Sequence, residues 1–264
     1  MAHINGTPDR DFLYGTAFED ELYGLGGNDV LRGRAGNDRI DGGEGIDVLI
    51  GRTGDDIYYI DTLRDRVIER AGEGLDTVIS TVSARLRAEV EDLTLVGGAR
   101  MGIGNELSNL IIADQDDDLA IRNILDGGGA DDVLRGGGGN DSLYGGATHQ
   151  GNYLDGGAGA DGFYFTEFAS PVYDGYDRLM DFSSADTIFL YRPTFDQLDA
   201  GVLAADAFVI GSAAQDAEDR IIFNPGQREI FYDPDGTGPE EAVRIAGGIP
   251  WNVTMDRTDF IAYG

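Results

Sequence analysis

One register constrains this chain more than any other feature. Asp11, Asp20, Asp29, Asp38, Asp47 and Asp56 stand nine residues apart. Two residues after each comes an apolar side chain: Leu13, Leu22, Leu31, Ile40, Leu49 and Tyr58. Five residues before each stands Gly6, Gly15, Gly24, Gly33, Gly42 or Gly51, and two before the last four stands Gly27, Gly36, Gly45 or Gly54. A fixed short period marks a solenoid, in which a unit buries its apolar face only by stacking on its neighbours. The first six residues of a unit are rich in Gly and Asp and read as a turn with some positive φ. The last three read x-Leu-x, a minimal strand with one inward side chain. Two units close one turn of a right-handed coil, so the strands stack in parallel and the Leu column makes a thin interior.

Each loop then offers one carboxylate and several carbonyl oxygens to the loop one coil later. Such a set of hard oxygens suits Ca²⁺, whereas Mg²⁺ keeps its waters. Ligands shared by loops one coil apart give the pairs Asp11/Asp29, Asp20/Asp38, Asp29/Asp47 and Asp38/Asp56. The first two pairs are the weaker, because Asp9 and Phe18 replace the fourth-position glycine. Phe18 is expected to cover the open end of the coil.

A second block repeats the pattern with Asp132, Asp141 and Asp161 in the same column. Two inserted residues around Thr148-His149-Gln150 put Asn152 in an Asp place, so Asp132 faces an uncharged partner and Asp141/Asp161 is the better pair. The candidate metal ligands are therefore Asp11, Asp20, Asp29, Asp38, Asp47, Asp56, Asp132, Asp141 and Asp161. Gly24, Gly27, Gly33, Gly36, Gly42, Gly45, Gly51 and Gly54 shape their turns. About five Ca²⁺ sites are expected.

Gly42-Gly43-Glu44-Gly45-Ile46-Asp47-Val48-Leu49-Ile50 reads G-G-x-G-x-D-x-U-x in full. It resembles the calcium-binding nonapeptide of RTX proteins. The resemblance implies an all-β fold, a right-handed parallel β-roll with a C-terminal β-rich capping and secretion domain. It also implies a bacterial product that meets the type I secretion apparatus, carries no N-terminal signal peptide and folds outside the cell on calcium. Residues 1–59 read as the first calcium block and 122–164 as the second. Residues 60–121 read as a degenerate coil connector, in which Asn105 and Asn109 replace Asp and hydrogen-bond along the stack without metal. Thr77 to Ser83 reads as strand, and Asp116-Asp117-Asp118 as a solvated loop. Residues 165–264 resemble the region that ends many such proteins. Ile221 to Phe223 and Ile230 to Tyr232 read as two strands, Phe195 and Leu203 to Phe208 as a short helical connection, and Asp233-x-Asp235-Gly236 as a hairpin turn. Thr258 to Gly264 resembles an uncleaved secretion signal.

Composition excludes several function classes. The formal charge is −30, from 36 Asp and 13 Glu against 19 Arg and no Lys. Nucleic acid is thus excluded as a partner, because phosphate binding needs a basic footprint. With no Cys, disulfides and thiolate chemistry are excluded, and no apolar run is long enough for a membrane span. His3 and His149 stand too far apart for H-E-x-x-H, no Ser has a G-x-S-x-G setting, and a P-loop needs a lysine. No catalytic centre is expected. The function expected is that of an extracellular calcium-binding protein. The alternatives are an adhesin or matrix component with a cell-surface or polysaccharide ligand, and the C-terminal secretion module of a larger RTX enzyme.

Overall fold

A computed structural model describes residues 1–113, 121–146, 151–167 and 175–264. The Asp116-Asp117-Asp118 and His149 readings lie outside the described residues. The chain divides into two compact units, residues 1–114 and 115–264. Among the described residues the structure is all-β, apart from a one-turn 3₁₀ helix at Arg257–Asp259.

In the first unit the nonapeptides alternate between two parallel sheets, as a β-roll does. Strands His3–Asn5, Glu21–Tyr23, Arg39–Asp41 and Ile57–Ile60 stack in one sheet with partners 18 residues apart. Strands Phe12–Tyr14, Val30–Ala35, Val48–Thr53 and Arg66–Val67 stack in the other with the same step. The step is set by side-chain alternation: the middle residue of each short strand points inward. Leu22, Ile40 and Tyr58 from one sheet and Leu31 and Leu49 from the other are fully buried. Each buried leucine contributes roughly 1.5–3 kcal/mol through removal from water. The first sheet continues through Thr77–Ser80, Asp92–Leu95 and Leu110–Ile112. Phe18 does not cover the coil end: it is 72% exposed.

The second unit repeats the plan with longer steps. Ile124–Asp126, Ser142–Tyr144, Gly162–Phe165 and Thr187–Tyr191 pair in parallel, as do Val133–Arg135, Tyr153–Asp155 and Asp177–Leu179. The C-terminal part then changes direction. Ile221–Asn224 and Glu229–Tyr232 form an antiparallel hairpin, which continues antiparallel to Val243–Gly247. Phe260–Tyr263 lies parallel to Thr187–Tyr191, and Gly201–Val202 lies antiparallel to it. The helical connection expected at Leu203 to Phe208 is not formed. The chain there turns and enters strand Phe208–Ile210, whose partner is Ile221–Asn224. Phe208, Val209 and Ile210 are aromatic or β-branched, so strand pairing wins over the helix.

Candidate metal centre

The repeat places its aspartates in a continuous buried column. Asp20, Asp29, Asp38, Asp47 and Asp56 are all at most 2% exposed, whereas Asp11 at the end of the row is only half-buried. Each carboxylate reaches back to the loop one coil earlier, not forward. Asp29 Oδ1 accepts the Asp11 backbone N–H at 2.8 Å, Asp38 that of Asp20 at 2.8 Å, Asp47 that of Asp29 at 2.8 Å, and Asp56 that of Asp38 at 2.7 Å. These are the four pairs expected from the spacing. The second unit does the same: Asp141 Oδ1 accepts from Asn123, Asn152 Oδ1 from Asp132, and Asp161 Oδ1 from Asp141.

The column also extends beyond the repeats. Asp65 accepts from Asp47 at 3.0 Å and Asp76 from Asp56 at 2.9 Å. Asp177 accepts from Asn152 at 3.0 Å and Asp186 from Asp161 at 2.8 Å. Asp65 continues the nine-residue count, 18 residues after Asp47, in a unit with Ile60 in place of the first glycine, whereas the count does not reach the other three. Asp76 lies 20 residues from its partner, and Asp177 and Asp186 lie 25 from theirs. An apolar residue two positions after each (Val67, Val78, Leu179 and Ile188) was the signal that could have found them. In the connector the column turns to Asn109, whose Nδ2 donates to the carbonyls of Val90 and Glu91.

The second carboxylate oxygen distinguishes the turns. In Asp11 and Asp20, Oδ2 accepts the N–H of Thr7 and Thr16 within the same turn. Asp65 and Asp186 are engaged likewise, by Asp61 and Thr62 and by Ser183. In Asp29, Asp38, Asp47, Asp56, Asp141 and Asp161, Oδ2 is buried with no hydrogen-bond partner. A buried carboxylate oxygen without a partner is costly. It is also well placed for a cation. The bare Cα of Gly24 faces both Asp29 Oδ2 and the Gly42 carbonyl oxygen, and Gly136 faces Asp141 Oδ2 and the Gly156 carbonyl oxygen. A Cβ on either glycine would fill this oxygen-lined cradle. The glycine three positions later is needed for another reason. Gly45 has φ 150°, and a Cβ there would overlap the Gly27 carbonyl.

Burial and the facing carboxylates also raise the proton affinities. Asp38 and Asp47 are pushed up to about 6 by burial, with further contributions from Asp20 and from Asp65 and Asp29. Asp56 rises to about 8 by burial and its neighbours Asp38, Asp76 and Glu69. Asp141 and Asp161 rise to about 6, again chiefly through burial. Arginine does not relieve this charge: the ion pairs formed among the described residues are His3–Glu21 and Arg244–Glu229. Six buried oxygens aimed at glycine cradles, with a carbonyl oxygen beside those of Asp29 and Asp141, fit a hard divalent cation.

Comparison with known proteins agrees with this geometry. The family profile described as RTX calcium-binding nonapeptide repeat (4 copies) matches residues 5–40, 32–62 and 122–149. The chain carries RTX calcium-binding repeats. These RTX segments hold all nine candidate aspartates except Asp161. A stretch of 57 residues is 46% identical to endo-1,3-1,4-beta-glycanase ExsH of Rhizobium meliloti (strain 1021). That stretch is 22% of this chain and 12% of the glycanase, so the chain spans a small part of this relative. The crystal structure of extracellular lipase LipA from Serratia marcescens aligns with 97% of this chain and 39% of that one, at 15% identity and a TM-score of 0.34. No helix among the described residues is long and apolar enough to cross a membrane.

Proposed function

We propose that this chain is an extracellular calcium-binding protein whose folding is driven by calcium after type I secretion. The observation that carries the reading is the set of six buried, unpartnered Oδ2 atoms on Asp29, Asp38, Asp47, Asp56, Asp141 and Asp161. Calcium is held by these aspartates and by carbonyl oxygens of the facing turns. Asp11 and Asp20, engaged by Thr7 and Thr16, contribute weakly. Where calcium is scarce, a chain of net charge −30 resists compaction. Where it is abundant, the ion replaces the missing donors, and binding free energy becomes folding free energy. Stacked turns then stabilise their neighbours. The role is that of a calcium-ordered scaffold, not of a catalyst.

Circular dichroism during a calcium titration tests this. The chelated chain should be mostly coil and should gain strand signal cooperatively. Equal strand content in excess chelator at neutral pH would overturn the proposal. A second reading, a calcium-folded module of a larger enzyme, is favoured by the match to a named glycanase. The intact mass of the native protein recovered from culture medium separates the two.

A further inference from the structure

The turn that ends the first block departs from the nonapeptide in one informative way. Eighteen residues after Gly51, where the register calls for another glycine, stands Glu69. Its side chain turns inward and is 9% exposed as a residue. Gly51 N–H donates to its Oε1 at 2.9 Å and Arg52 N–H at 3.1 Å, and the Tyr58 hydroxyl donates to the same oxygen. Asp56 and Asp76 flank it, so that one oxygen from each of the three carboxylates lies within 4.8 Å of the others. Room for Glu69 comes from a chain longer by two residues between it and Asp76: seven positions separate them, against five from Gly51 to Asp56.

A second observation points to a ligand. Asp56 is fully buried, and its Oδ2 has no partner. That oxygen and the Tyr58 hydroxyl both converge on the bare Cα of Gly51. At Gly24 and Gly136 this cradle pairs a carboxylate with a glycine carbonyl. Here Tyr58 and Glu69 stand in the carbonyl's place. Glu69 accepts from three donors, Asp56 Oδ1 accepts from Asp38 N–H, and Asp76 Oδ1 accepts from Asp56 N–H. All three are set out as acceptors, and neither ion pair among the described residues reaches them.

We propose that Asp56, which the repeat supplies, joins Glu69 and Asp76 in a three-carboxylate calcium site that is tighter than the remaining nonapeptide sites. It rests on the calcium reading above for its ion, but it takes a ligand, Glu69, that the repeat does not supply. Calcium affinity rises with the number of charged ligands and with the rigidity of the site. This site has one carboxylate more than a repeat pair, on side chains already fixed by backbone donors.

Calorimetric titration with calcium of the full chain, Glu69→Gln and Asp29→Asn is the test. Glu69→Gln should remove the tightest equivalent or weaken it at least tenfold, and leave the other equivalents in place. Asp29→Asn should keep the tightest equivalent and lower a weaker class. A Glu69→Gln isotherm identical to that of the full chain overturns the new site while leaving the repeat sites standing. Absence of calcium uptake by the unaltered chain overturns both. Should Glu69→Gln fail to gain strand signal in calcium, Tyr58→Phe with terbium decides. Loss of the tyrosine-sensitised emission of the first equivalent is expected, and its full retention refutes the site.

Discussion

Titrating the chelated protein from pH 5 to pH 8 perturbs the aspartate column without touching its packing. In the folded chain Asp38 and Asp47 are pushed up to about 6, Asp76 to about 7 and Asp56 to about 8, in each case first by burial. In an unfolded chain each would titrate at ~3.9. Between these values the folded state binds more protons than the unfolded one. The stabilisation is therefore full below about pH 4 and is lost as pH rises through the folded values. One pKa unit corresponds to about 1.4 kcal/mol, so Asp38 alone removes roughly 3 kcal/mol across its window. Asp38 and Asp47 together reach the lower end of the ~5–15 kcal/mol that holds a typical domain. Acid should thus do part of what calcium does. Far-UV circular dichroism and urea melts in excess chelator should show strand structure near pH 5 that is lost by about pH 8. Calcium at pH 8 should restore it and flatten the pH dependence, because the metal holds the carboxylates ionised. Asp38→Asn, which removes one of these groups, should give a shallower slope. Stability of the chelated protein that stays level or rises from pH 5 to pH 8 would refute the reasoning. An unchanged slope in Asp38→Asn would assign the effect to general charge repulsion instead.

Other perturbations separate packing from ligation. Leu31→Ala opens the fully buried apolar column and should cost about 2–5 kcal/mol in melts of the calcium-loaded protein, with little change in calcium stoichiometry. Gly42→Ala places a methyl against Asp47 Oδ2, and a calcium titration should show the affected class weakened at least tenfold. Gly45→Ala meets both its φ of 150° and the Gly27 carbonyl, and should destabilise by more than ~2 kcal/mol in calcium and in chelator at pH 5 alike. Asn152→Asp adds a charge to the column and removes the Nδ2 donor to Asp177 Oδ1. It should destabilise the chelated protein at pH 5 by roughly 1–3 kcal/mol and tighten one calcium equivalent in calorimetry at pH 8.

How far the chain could be read depended on how the register is kept. Where each coil takes 18 residues, the four aspartate pairs, the two sheets and the buried Leu column all follow from counting, because strand alternation fixes which residue points inward. The reading lost Asp76, Asp177 and Asp186, since coils of 20 and 25 residues break the count while the backbone keeps the stack, and it lost Asp65, which keeps the count, because Ile60 replaces the first glycine of its unit. Counting alone does not tell Asp20 from Asp29, although Phe18 in place of a glycine sets the Asp20 unit apart. Both occupy the column, but Thr16 N–H takes Asp20 Oδ2 while Asp29 Oδ2 has no partner. That difference lies in turn geometry. Phe18 and the segment from Leu203 to Phe208 failed for the usual reason: which surface covers an apolar residue is decided by tertiary pairing, not by local pattern.

Both nonapeptide blocks end by the same device, and it carries its own sequence mark. Within a block, the N–H of a unit's first glycine donates to a carbonyl in the next coil, as Gly24 does to Asp41 and Gly136 to Asp155. A buried N–H must find some acceptor. Where the next coil departs from the nonapeptide, an acidic side chain supplies one: Glu69 accepts from Gly51 and Arg52, and Asp181 accepts from Gly156 and Gly157. Asp181 stands five residues before Asp186, and Glu69 eighteen after Gly51, so each acid occupies a first-glycine place. A glycine there leaves room for its own turn's aspartate. An acid cannot, unless the coil is longer, as it is at Glu69, or the aspartate is engaged otherwise, as Asp186 is by Ser183 N–H at 2.7 Å. A block therefore ends not where the aspartates stop but where an acid replaces the first glycine. Beyond the nonapeptides the aspartate column runs on: Asp65 and Asp186 have both oxygens engaged by backbone N–H groups, whereas Asp76 joins Asp56 and Glu69 in the three-carboxylate cluster.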